Sequence, residues 1–85
     1  MKPTELAREA REAVAALTGF EAETVTGLSR NGDGWVVRVE ALELRRIPST
    51  MDVLATYEVL ISDDGEDTSL NRKRRYHRAA TEEES

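Results

Sequence analysis

The chain has 85 residues, no cysteine, and a formal net charge of −5 from 12 Lys or Arg against 17 Asp or Glu. That length supports one core and leaves little free energy for a strained catalytic pocket, so a single binding domain is expected and an enzyme is not. The absence of cysteine excludes disulfides and thiolate metal sites and points to a reducing, cytoplasmic setting; no apolar run approaches the roughly 18 residues of a membrane span.

Residues 1–3 are expected to be disordered and residues 4–78 to form the domain. Leu6, Ala10, Ala13, Val14 and Leu17 recur on one helical stripe, with Arg8, Glu9, Arg11 and Glu12 opposite, which predicts an amphipathic helix over 4–18. Thr4 suits the N-cap, Glu5 the positive end of the helix dipole, and Gly19 the left-handed stop. The small Ala side chains let the helix lie close to a sheet.

From Phe20 the pattern becomes extended. Strands are expected at about 22–30 and 35–45, rich in Thr, Val and Leu, around the hairpin signal Asn31-Gly32-Asp33-Gly34. Trp35, Val37, Val39 and Ala41 share one face and Val36, Arg38, Glu40 and Leu42 the other; the apolar parity shifts between Glu40 and Leu44, which predicts a bulge. Pro48 interrupts the sheet, having no N–H for a ladder. A third strand at about 52–61 alternates Val53, Ala55, Tyr57, Val59 and Ile61 with Leu54, Thr56, Glu58 and Leu60. Ser62-Asp63-Asp64-Gly65-Glu66 turns into a fourth strand at about 67–77. The segment 79–85, ending in Glu82-Glu83-Glu84-Ser85, has nothing to bury and is expected to be disordered. The fold class is α+β, an N-terminal helix packed on a four-stranded antiparallel meander in two layers.

No catalytic or metal site and no cofactor are expected. His77 is the one histidine and has no orienting carboxylate nearby in sequence. The glycines at 32 and 34 open a strand, not a helix that would cradle a phosphate. Glu40, Glu43 and Glu58 read as cross-sheet partners for arginines more readily than as an acid–base cluster. Trp35 and Tyr57 read as core under the helix.

The charge is segregated. Residues 1–70 hold seven Lys or Arg against fourteen Asp or Glu, whereas residues 71–80 hold five basic residues and no acidic one. Arg72, Lys73, Arg74, Arg75, Tyr76 and Arg78 are therefore the candidate partner-binding residues, on what is expected to be an edge strand. An acidic body argues against DNA as a partner, because phosphate contacts need a broad positive field. The alternative is an RNA-binding or regulatory factor that uses the same residues, with Tyr76 stacking on a base.

Two stretches are more particular than their composition requires: Arg46-Ile47-Pro48-Ser49-Thr50-Met51-Asp52-Val53-Leu54-Ala55-Thr56-Tyr57-Glu58-Val59 and Leu70-Asn71-Arg72-Lys73-Arg74-Arg75-Tyr76-His77-Arg78. With Trp35 to Glu40 and Glu43, they resemble the gas vesicle protein O family over about Leu6 to Arg78. The resemblance implies a cytoplasmic accessory protein of gas vesicle assembly. Its implied partners are other gas vesicle accessory or shell proteins, with no membrane contact, room for weak homo-oligomerisation and association with the vesicle itself. It carries over no enzymatic motif.

Overall fold

In the computed structural model, which describes residues 2–79, one helix precedes four strands: α1 (Pro3–Thr18), β1 (Glu21–Asn31), β2 (Gly34–Leu44), β3 (Val53–Ser62) and β4 (Thr68–His77). The strands pair antiparallel in chain order, so β1 and β4 are the sheet edges. The expected α+β meander is the observed fold, with strand boundaries within one residue of those read from sequence. The acidic tail from residue 80 lies outside the described residues.

The helix begins one residue before the expected start. Lys2, not Thr4, holds the N-cap position and Pro3 opens the first turn, where its fixed φ fits and its missing N–H is no loss. Lys2 has no side-chain acceptor, so only half of a capping box forms: the Lys2 N–H donates to the Glu5 carboxylate at 3.3 Å. Gly19 closes the helix as expected, at φ 78° with its N–H on the Ala15 carbonyl at 2.9 Å.

Leu6, Ala10 and Val14 are fully buried and meet Val37, Val39, Ala41, Ala55, Tyr57, Val59 and Ile61 from one face of β2 and β3. Trp35 and Leu70 pack against this cluster. Leu17 departs from expectation, being 63% exposed. At about 100° per residue it falls in the centre of the buried stripe, so its exposure means that the last turn has no strand beneath it.

The first hairpin turns on Gly32 and Asp33, with Asn31 paired to Gly34. Of these two turn residues only Gly32 has a positive φ, 56°, which matches a II′ turn. The predicted bulge in β2 is present as a register shift between Leu42 and Leu44. β1 carries two further shifts, next to Glu23 and Thr26, and β4 one, between Arg72 and Arg74. Between β2 and β3 the chain makes a short 3-10 turn over Ser49–Met51.

Candidate partner-binding surface on the edge strand

The basic residues of β4 do not form one stripe. Neighbours on a strand point to opposite faces, and the shift at Lys73 resets that alternation. Arg72 and Arg75 lie opposite Tyr57 and Ala55, on the helix side of the sheet, whereas Arg74 and Tyr76 lie opposite Thr56 and Leu54, on its open side.

On the helix side, the β2 bulge places Glu43 between the arginines. Its side chain is 5% exposed. Arg75 Nε lies 2.8 Å from one carboxylate oxygen, and the other accepts from Arg72 Nη1 at 3.2 Å and the Tyr57 hydroxyl at 3.0 Å. A carboxylate taken out of water needs such donors. Burial foremost, then the bond to Glu43, pushes the Tyr57 hydroxyl above its ordinary pKa. Two guanidiniums face one carboxylate here, and each arginine side chain is still half exposed. With five N–H donors per guanidinium, several stay available to a second carboxylate.

On the open side, Glu40 collects hydroxyls from the other three strands: Thr26 at 2.9 Å, Thr56 at 2.6 Å and Tyr76 at 2.5 Å. Burial, reinforced by the bond to Glu40 and its charge, pushes the Tyr76 pKa up to about 12. The Arg74 guanidinium stacks 4.6 Å from the Tyr76 ring centre. Glu58 meets Arg38 at 3.1 Å and Lys73 at 3.7 Å.

Where β4 ends, Arg78 donates to Glu23 at 2.8 Å and Asp52 at 3.2 Å, and its backbone N–H bonds the Asp52 carbonyl at 3.0 Å. Asp52 is 2% exposed and also accepts the Arg46 N–H at 2.7 Å. That backbone donor foremost, and Arg78 after it, hold the Asp52 carboxyl below the usual range despite its burial. The same contacts push the Arg78 guanidinium pKa up, Glu23 contributing most.

The sequence profile of the family described as gas vesicle synthesis protein GvpO matches residues 1–82. The chain belongs to the gas vesicle protein O family. Gas vesicle protein O of Streptomyces sp. (strain CB03234) is 45% identical over 80 residues, 94% of this chain and 62% of that protein. Gas vesicle protein O of Haloferax mediterranei is 36% identical over 76 residues, 88% of this chain and 54% of that protein. Gas vesicle protein O1 of Halobacterium salinarum is 32% identical over 75 residues, 88% of this chain and 63% of that protein. The chain thus spans less than two thirds of each of these relatives. No solved structure matches it. Family membership gives the chain a gas vesicle-related role.

In this member of the family, the six residues singled out from sequence divide into three settings. Arg72 and Arg75 share Glu43, Arg78 is locked to Asp52 and Glu23, and Arg74 with Tyr76 and Lys73 lies on the open face. Glu43 and Glu58 pair with basic residues as expected; Glu40 instead takes three hydroxyls. Sequence offers Glu43 as an arginine partner but does not show that it serves Arg72 and Arg75 together or that it takes the Tyr57 hydroxyl; the parity shift near Glu43 is the available signal. His77 is exposed at the end of β4, opposite Val53. Among the described residues no helix is long and apolar enough to cross a membrane, and no group of three or more His, Cys, Asp or Glu is placed to hold a metal.

Proposed function

We propose that this chain is a cytoplasmic, non-catalytic accessory protein of gas vesicle assembly that works by binding other gas vesicle proteins along β4. The observation that carries the reading is the pair Arg72 and Arg75, half exposed and anchored on the buried Glu43 at a sheet edge. Anchoring lowers the side-chain entropy lost when a partner binds. β4 is the more open of the two edges: α1 lies mainly over β1 and β2, and the two register shifts in β1 twist that edge away from pairing. An extended acidic segment adds to β4 as a strand, and its carboxylates take the unused guanidinium donors.

The RNA reading is less well supported. Tyr76 has one ring face under Arg74 and its hydroxyl on Glu40, and Arg78 is spent on Glu23 and Asp52. Tyr76 and Arg78 are thus engaged within the chain, which weakens the base-stacking part of that reading.

A pull-down of the tagged chain from vesicle-forming cells tests the proposal. Arg72→Gln and Arg75→Gln, made singly, each leave one guanidinium on Glu43 and so preserve the fold. Each is expected to reduce recovery of other gas vesicle proteins, with circular dichroism unchanged. Full recovery by both variants would remove the arginine pair from the mechanism, and salt-dependent binding to single-stranded RNA by the wild-type chain would favour the alternative.

A further inference from the structure

The hydrogen-bond phase of β4 fixes what its free edge presents. In an antiparallel ladder, residues that exchange backbone bonds with the neighbouring strand alternate with residues whose N–H and C=O point the other way. The Ser62 N–H bonds the Asp67 carbonyl at 2.9 Å, and the Arg78 N–H bonds the Asp52 carbonyl at 3.0 Å. Counted along the register from the first bond, Glu58 and Asn71 are a bonded pair and Tyr57 and Arg72 are not. Counted from the second, Thr56 and Arg74 are a bonded pair and Ala55 and Arg75 are not. The backbone groups of Leu70, Arg72, Arg75 and His77 therefore point out of the sheet, beyond its last strand.

Arg72 and Arg75 thus offer main chain and side chain together. Their guanidiniums lie on the helix side, where Arg75 spends Nε on Glu43 and Arg72 spends Nη1, leaving two nitrogens on each. The two arginines are three positions apart in β4, but Lys73 is the extra residue of the bulge, so one residue, Thr56, separates their partners Ala55 and Tyr57 on β3. A strand on the outer side of β4 meets the same shortened spacing. Its residues facing Arg75 and Arg72 are two positions apart and share one face. The next outward residue of β4 is Leu70, partly buried against the core.

We propose that β4 takes an antiparallel strand in which two acidic residues and one apolar residue occupy alternate positions, in that order from its N-terminal end. The first carboxylate stands opposite Arg75, the second opposite Arg72, and the apolar side chain opposite Leu70. The proposal rests on the β4 reading above and gives its partner a direction and a register. Antiparallel pairing continues the meander and sets facing Cα atoms about 5.5 Å apart at bonded pairs, within reach of a cross-strand ion pair. At each acidic position the partner's own N–H and C=O bond the arginine backbone. The N–H of the residue between them points away from β4.

Synthetic peptides and the purified full chain test the register. The probe is a labelled nonapeptide of threonine with glutamate at its third and fifth positions and valine at its seventh, titrated by fluorescence anisotropy at low salt. It should bind, and moving the second glutamate by one position should weaken binding about tenfold or more. N-methylation of either glutamate should cost about as much, whereas N-methylation of the threonine between them should leave binding unchanged. Replacing the first glutamate by glutamine should weaken binding to the wild-type chain about threefold and leave binding to Arg75→Gln unchanged. The second glutamate should couple in the same way to Arg72→Gln. Equal binding of the shifted peptide, indifference to all three N-methylations, or no binding at about 1 mM would overturn the proposed register. In that event, a pull-down that still depends on Arg72 and Arg75 would leave the β4 reading standing, and one that does not would end both.

Discussion

Tyr76 and Glu43 show how single side chains shape the edge strand. With its pKa at about 12 in the folded chain against about 10 for an unfolded tyrosine, Tyr76 contributes stability that is complete below pH 10 and lost as the pH rises towards 12. Ultraviolet titration of the native chain should show neither of its two tyrosines ionising at the free value, and titration in denaturant should show both doing so; a native step near pH 10 would contradict the hydroxyl network on Glu40. Glu43→Ala removes the acceptor shared by Arg72, Arg75 and Tyr57 and should cost about 1.5–3 kcal/mol in urea unfolding, the range for hydrogen bonds to a charged group. A cost under about 0.5 kcal/mol, ordinary for a surface site, would mean that Glu43 does not hold the arginines. Sequence displayed the basic residues of β4 and offered Glu43 and Glu58 as partners for basic residues, but not which of them would meet. Arg72 and Glu43 are 29 positions apart, and their meeting depends on two bulges, only one of which leaves a trace in the apolar pattern.

At the scale of elements, the alternation of Val53 to Ile61 and the Asn31–Gly34 turn were enough to place strands and connections, because one buried face and one tight turn fix the register. The bulge in β2 was legible because it interrupts an apolar alternation. That in β4 was not, because Arg72 to Arg75 are all charged and carry no parity. Gly34 tests the close approach of β2 and β3: a Cβ there would come 2.4 Å from the Ile61 carbonyl oxygen. Gly34→Ala should therefore destabilise the chain by about 1–3 kcal/mol through overpacking, seen as a lower urea midpoint. The helix offers a paired contrast. Leu6→Ala should cost about 2–5 kcal/mol and Leu17→Ala less than about 0.5 kcal/mol, since one is fully buried and the other 63% exposed. Helical spacing alone gave the two equal standing, because it reports direction around the helix and not how far the sheet extends beneath it.

Across the whole molecule, Asp52 joins β1, the β2–β3 loop and the end of β4 through Arg46 and Arg78. Because its folded pKa is depressed, its contribution is present above the unfolded value of about 3.9 and disappears as the pH falls through the folded one. Asp52→Asn should flatten the acid limb of the stability profile below about pH 4, measured by urea unfolding across pH; an unchanged acid limb would mean that this junction is not held by charge. Segregation of charge along the sequence suggested one basic strand on an acidic body. The fold instead disperses those charges over two faces and one end, and leaves Arg72 and Arg75 as an anchored, half-exposed pair on an open edge. Hydrogen exchange of the chain, alone and mixed with other gas vesicle proteins from the same cells, tests that account most directly. Slowed exchange concentrated in residues 68–78 is the expected result, and slowing confined to other segments, with β4 unchanged, would contradict it.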